Sequence, residues 1–206
     1  MNRYLMYVIA GYLSGSVLYA RVFLQLFGKA DEYRQSKDEN PGTANAFAYG
    51  GFACGVLTLT GDMLKGFLPV WLFLHSGEDI TPVTLALVLL APVLGHAFSC
   101  FYGLRGGKGI AVSFGSLLGL VPLWSPVLLF AGAFVFFSVV VKITPHFQRT
   151  AITYFVTLLL EALTHQPDGV VLGFALISGV VFLRLHMSRE PREHTQVLLA
   201  GKEILR

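Results

Sequence analysis

Long apolar segments recur along the whole chain, and no other feature limits the fold so strictly. About seven can be counted, near residues 4–27, 50–75, 80–102, 110–121, 126–141, 150–164 and 169–186. A helix that crosses a bilayer needs roughly 20 apolar residues at 1.5 Å rise each. The first three segments meet that length. The fourth is short, and Pro122 and Pro126 bracket its exit. It is expected to be a partial span, which is tolerated only where protein or a wet cavity covers the backbone. Composition agrees: 13% of the 206 residues are charged, about half the share of a soluble domain, and mean hydropathy is +0.65. A soluble core cannot take up this much apolar surface. The expected fold class is all-α: a polytopic integral membrane protein of about seven transmembrane helices, forming one membrane-embedded domain over residues 1–206.

Lys and Arg fall on alternate connections. Lys29, Arg34 and Lys37 follow segment one, Arg105 and Lys108 follow three, and Lys142 and Arg149 lie between five and six. Arg189, Arg192, Lys202 and Arg206 occupy the tail. The connections around Gly77, Leu123 and Gln166 carry neither residue type. By the positive-inside rule the N-terminus is expected outside and the C-terminus in the cytoplasm. Arg3, the apolar run after it and Val17-Leu-Tyr-Ala20 have the form of a signal peptide. The run continues to Phe27, which favours an uncleaved span. A net charge of +3 gives no support to a nucleic-acid partner. Cys54 and Cys100 lie in apolar stretches, fit no metal motif and are expected to be buried thiols.

The polar clusters gather on the side expected to be cytoplasmic. In Gly103-Leu-Arg-Gly-Gly-Lys-Gly-Ile-Ala-Val-Ser113 the glycines let backbone N–H groups approach an anion, and a helix starting after them aims its positive end at the loop. Arg105 and Lys108 add full charges. The pattern is not a Walker loop. It is either a phosphate site or a flexible turn touching lipid head groups. His96 is either a packing residue or a participant in that site. Asp62 and Lys65 sit inside segment two at i,i+3, on one helix face, and form either a structural ion pair or ligands for substrate. Asn40, Gly42, Thr43 and Asn45 make a polar turn able to bond phosphate or a hydroxyl. Ser14-Gly15-Ser16 favours close helix packing.

Taken in order, these motifs resemble the bacterial acyl-phosphate:glycerol-3-phosphate acyltransferase family, over nearly the whole chain. Ser14-Gly-Ser-Val-Leu-Tyr-Ala-Arg21 resembles its first-span signature. Asn40-Pro-Gly-Thr-Ala-Asn45 resembles its Ser-Gly-Asn-x-Gly-Ala-Thr-Asn loop, and Asp62-Met-Leu-Lys65-Gly66 its Asp-x-x-Lys-Gly. Gly95-His96-x-Phe98 with Gly106-Gly-Lys-Gly-Ile-Ala111 resembles its phosphate-binding motif, and Leu198-Leu-Ala-Gly-Lys-Glu203 its C-terminal Leu-Leu-x-Gly-x-Glu. The resemblance implies seven spans in a bacterial inner membrane, among membrane lipids, with the active site on the cytoplasmic side. It implies attack of the 1-hydroxyl of glycerol 3-phosphate on an acyl phosphate, giving lysophosphatidate for phospholipid biosynthesis. It implies no cofactor and no metal. Lys108, Gly106, Gly107 and Gly109 would hold phosphate with Arg105, His96, Asp62 and Lys65 beside them. Asn40, Gly42 and Asn45 would orient polar substrate groups, and Glu203 would be structural.

Three positions depart from the family pattern. Asp38 stands where the loop serine falls, Ala48 where an arginine falls, and Pro191 and His194 where a His-x-x-Asn pair falls. Asp38 and His194, with His186 nearby, are then the candidates beside Lys108 for catalysis. The departures leave a second expectation: a catalytically impaired paralogue that binds a phosphorylated lipid precursor or regulates a partner. A small transporter or channel is a third, weakened by the absence of an internal repeat.

Overall fold

The computed structural model describes residues 3–31, 40–188, 196–199 and 202–205. Among these the chain is mostly helical. Four stretches are long and apolar enough to cross a membrane: Tyr4–Leu26, Thr43–Leu74, Pro82–Tyr102 and Asp168–Met187. Leu26, Phe52 and Val139 are among the many exposed apolar side chains, as a lipid-facing surface requires.

The first span is broken. Helix α1 (Tyr4–Ser16) and helix α2 (Tyr19–Leu26) are separated by extended backbone at Val17. The break frees two carbonyls, and both are taken up by other spans. Ser99 Oγ donates to Ser16 O at 2.6 Å, and Lys65 Nζ to Val17 O at 2.6 Å. A helix can unwind inside a membrane protein only when such partners are supplied.

Helix α3 (Thr43–Leu74) begins earlier than the apolar pattern suggested, because the amphipathic stretch before Gly51 is also helical. Gly51 (φ 81°) breaks its axis; an L side chain is strained at that angle. Helix α4 (Pro82–Ala97) starts with Pro82 behind a Thr81–Thr84 capping box. It meets α1 at backbone distance. A Cβ on Gly15 would stand 2.1 Å from Pro92 O, and one on Gly95 2.1 Å from Tyr12 O. The small residues of segment one thus serve helix packing, as expected.

Helix α5 (Ile110–Leu118) is nine residues long, the partial span expected of the fourth segment. It lies against α3 through Gly66 and Gly115, whose added Cβ atoms would meet Val112 O at 2.5 Å and Met63 O at 2.1 Å. Helix α6 (Ser125–Val135) runs through a wide turn at Phe136–Val140 into strand β1 (Val141–Thr144). Helix α7 (His146–Leu163) and helix α8 (Asp168–Met187) complete the bundle. An aromatic core joins α5, α6, α7 and α8 through Phe114, Phe130, Tyr154 and Phe174.

Two sequence expectations need correction. The chain is not wholly α. Strands β2 (Gln196–Leu199) and β3 (Lys202–Leu205) join β1 in an antiparallel sheet of order β1-β2-β3, with Val141 opposite Leu199 and Thr144 opposite Gln196. The family-like segment contributes Leu198 and Leu199 to β2 and Lys202 and Glu203 to β3, which pair antiparallel. Cys54 is buried, but Cys100 is exposed, because it lies in the short helical turn Cys100–Tyr102 beyond the end of α4.

Two ends of the bundle differ in character. At one, Arg3 pairs with Glu78 at 3.0 Å and Ser125 Oγ donates to Gln166 Oε1 at 2.8 Å. At the other, the polar motifs converge on a cavity.

Candidate active site

The cavity has a volume of about 330 Å³. Asn40, Thr43, Asn45, Asp62, His96, Lys108 and His146 form its polar wall, and Leu59, Ile110, Ala111 and Phe114 its apolar wall. Gly42 and Gly109 also line it. Five connected segments therefore contribute: the turn before α3, α3 itself, the end of α4, the glycine loop running into α5, and the first residue of α7.

The glycine loop is pressed onto the last turn of α4. Gly107 N–H donates to His96 O at 3.0 Å. A Cβ on Gly106 would stand 1.8 Å from His96 O, and one on Gly107 2.2 Å from His96 Nε2. No side chain fits at either position. Gly109 (φ 84°) turns the chain into α5, whose first N–H groups lack intrahelical partners and carry the positive end of the helix. Gly109 O accepts from Ser113 Oγ at 2.9 Å, and Tyr154 OH donates to Ser113 Oγ at 3.0 Å. Between these fixed glycines Lys108 is buried, with 8% of its surface exposed. A flexible turn touching lipid head groups would not bury its lysine in this way.

Behind the loop lies a buried charge cluster. Lys65 Nζ reaches Asp62 Oδ1 at 2.7 Å, His96 Nδ1 at 2.8 Å and Val17 O at 2.6 Å. An ammonium has three N–H donors, and these acceptors use all three. Lys65 is 2% exposed and does not line the cavity. The expectation that Lys65 touches substrate is therefore corrected: it holds Asp62, His96 and the first-span break in place. Since Nδ1 of His96 accepts from Lys65, the ring proton sits on Nε2. His96 thus presents an N–H donor beside Gly107. Across the loop, the Arg184 guanidinium donates to Gly106 O.

The turn before α3 organises itself. Gly42 N–H and Asn45 Nδ2 both donate to Asn40 O, at 2.8 and 2.9 Å. Gly42 caps α3, and Asn40 and Asn45 both face the cavity.

Arg105, expected at the phosphate, is exposed and absent from the cavity wall. Gly103 and Leu104 both adopt φ 60°, and this turn carries Arg105 outward. Asp38 and His194 lie outside the described residues. Two residues outside the sequence motifs lie at the loop and the cavity, Arg184 and His146. Arg184 is an ionisable residue within a span, a signal that alone points to a site. His146 follows Pro145 in a basic connection, a weaker signal.

The fold and site define a multi-pass helical membrane protein whose buried, lysine-bearing glycine loop opens on a cavity that is polar on one side and apolar on the other. The family model described as glycerol-3-phosphate acyltransferase matches residues 5–192. A glycerol-3-phosphate acyltransferase of Pseudomonas aeruginosa is 34% identical over 199 residues, 95% of each chain. Crystal structures of PlsY, an integral membrane glycerol 3-phosphate acyltransferase, superpose with TM-scores of 0.76 (glycerol 3-phosphate form) and 0.74 (lysophosphatidic acid form). The first covers 90% of this chain and 89% of that one, the second 88% and 87%, both at 26% identity. The chain belongs to the glycerol-3-phosphate acyltransferase family.

Proposed function

We propose that the protein transfers an acyl chain from an acyl phosphate to the 1-hydroxyl of glycerol 3-phosphate. A C–O bond forms between that hydroxyl oxygen and the acyl carbon, the acyl–phosphate C–O bond breaks, and lysophosphatidate and inorganic phosphate leave. The observation that carries this reading is the placement of Lys108 and the glycine loop on one cavity with Asn40, Asn45 and a wall of Leu59 and Phe114. Such a cavity matches a reaction between a phosphorylated polyol and a lipid-like donor. The solved PlsY form with glycerol 3-phosphate supports the acceptor.

In this reading Lys108 and the N–H groups around Gly107 and Gly109 neutralise phosphate, and His96 Nε2–H donates to a phosphate or carbonyl oxygen as charge develops there. Asn40 and Asn45 orient the glycerol moiety, which supplies much of the catalysis by positioning. Asp62 completes the wall as the partner of Lys65. Asp38 and His194 retain the catalytic roles expected from their place in the family pattern. The segregation of Lys and Arg supports an outside N-terminus, a cytoplasmic C-terminus and cavity and an odd number of spans, and the resemblance supports seven spans in a bacterial inner membrane. The impaired-paralogue reading draws no support from the relatives, which bear the enzyme's name.

The test is phosphate release from palmitoyl phosphate by protein reconstituted in lipid, with and without glycerol 3-phosphate. Acceptor-dependent release that Lys108→Ala abolishes is expected. Folded protein that gives no acceptor-dependent release, with several acceptors tried, would sink the reading.

A further inference from the structure

Tyr154 lies in the middle of α7, fully buried, and none of the sequence motifs includes it. Its ring packs on Phe130 and Phe174, with centroids 4.8 and 5.5 Å away, and on Phe134 and Phe182. Phenylalanine would fill the same space in such a cluster without bringing in a hydroxyl that must find a partner. The partner is Ser113 Oγ on α5, at 3.0 Å. Ser113 is fully buried too, and its Oγ lies 2.9 Å from Gly109 O. A carbonyl can only accept, so the one serine proton goes to Gly109 O, and the tyrosine hydroxyl donates to Ser113. A one-way chain of hydrogen bonds thus runs from the aromatic core to the last glycine of the loop.

Gly109 O also accepts from Ser113 N–H, at 2.9 Å. The carbonyl therefore points along α5, toward its C-terminal end. The peptide joining Gly109 to Ile110 is trans, so its N–H points the opposite way, out of the start of the helix. Gly109 and Ile110 both line the cavity, beside Lys108. As the first N–H of α5, that of Ile110 has no intrahelical acceptor. A carbonyl loaded by two donors polarises its amide and makes the attached N–H a stronger donor. Glycine does not by itself hold the left-handed conformation found at Gly109 (φ 84°), since it visits others as readily. The ties through Ser113 do hold it.

We propose that Tyr154 is a positioning residue for substrate phosphate. It acts through Ser113 on the Gly109–Ile110 peptide, so that Ile110 N–H is aimed into the cavity and strengthened as a donor to a phosphate oxygen. Tyr154 touches no reacting atom, and its effect reaches the site only along this chain. The inference rests on the reading above that the glycine loop holds phosphate.

The experiment compares wild type, Tyr154→Phe, Ser113→Ala, the double variant and Phe174→Leu. Calorimetry measures binding of inorganic phosphate and of glycerol 3-phosphate, melting in detergent reports the fold, and kinetics in lipid give kcat and KM for each substrate. Tyr154→Phe keeps the ring and is expected to weaken phosphate binding about three- to tenfold, the worth of one neutral hydrogen bond. The KM of the substrate whose phosphate is held there should rise with it, at a kcat changed by less than about threefold. Because the links act in series, the double variant should bind phosphate within about twofold of Ser113→Ala. Phe174→Leu loosens the aromatic cluster but leaves the chain intact, and should lower Tm without changing phosphate affinity. Wild-type phosphate affinity in Tyr154→Phe, a loss confined to kcat, or losses that multiply in the double variant would each overturn the inference. Phosphate binding by a wild type that gives no turnover would instead overturn the acyl-transfer reading, and a wild type that binds no phosphate would overturn both.

Discussion

Lys65 Nζ stands 2.8 Å from His96 Nδ1, joining a charge buried in α3 to the last turn of α4. The same ammonium pairs with Asp62 at 2.7 Å, and both side chains are 1% exposed. Removing one member of such a pair leaves the other charge buried and uncompensated. Lys65→Met is expected to destabilise the fold by about 3–5 kcal/mol. The double variant Asp62→Asn/Lys65→Met should recover much of that loss. Thermal unfolding in detergent reads both, and equal melting temperatures for wild type and Lys65→Met would refute the pairing.

Gly107 faces His96 so closely that an added Cβ would sit 2.2 Å from Nε2. Gly107→Ala must push the ring or the loop aside, and binding of glycerol 3-phosphate is expected to weaken by at least about tenfold, roughly 1.4 kcal/mol. Gly132 has nothing within 4 Å of the same position and lies inside α6. Gly132→Ala should raise stability slightly, by roughly 0.5–1 kcal/mol, because alanine is the better helix former. Calorimetry and melting curves on the two variants separate close approach from general glycine loss.

Lys108 and Arg105 are three residues apart, but only Lys108 is buried in the cavity wall. Lys108→Met is expected to reduce kcat/KM by about 10²- to 10³-fold, the usual loss for one charge-stabilising donor. Arg105→Ala should change it by less than about threefold. Steady-state kinetics at a fixed lipid composition decide the matter. Comparable losses in the two variants would contradict the placement of Arg105 outside the site.

Arg184 holds the carbonyl of Gly106 from α8. Arg184→Met leaves that carbonyl without its partner, a change of about 1–3 kcal/mol for a buried acceptor. The expected result is a loop that binds inorganic phosphate more weakly, by roughly five- to a hundredfold. Phosphate inhibition of the transfer reaction measures this directly, and an unchanged inhibition constant would rule out the support role.

What the sequence disclosed follows the range of the interactions involved. Asp62 and Lys65 are three residues apart, so their shared helix face could be read from spacing. The glycine loop was legible for the same reason, since its glycines, lysine and following helix are contiguous. Arg184 was not, because its partner Gly106 lies 78 residues away. Arg105 was over-read, because two left-handed residues just before it turn it away from its neighbours. The sheet escaped notice because β1 pairs with residues near the end of the chain, across two helices. His146 acquires its setting from that same strand.

The pairing of β1 with β2 also sets an order of events. The membrane helices can associate as they are made, but Val141–Thr144 cannot find its partner until Gln196–Leu199 has been synthesised. Strand β1 leads directly into His146, so the corner of the cavity that this residue occupies is anchored last. Non-local pairing of this kind is slow compared with helix formation. A nascent chain therefore carries its glycine loop before the cavity wall is fully anchored, which requires Gln196–Leu199.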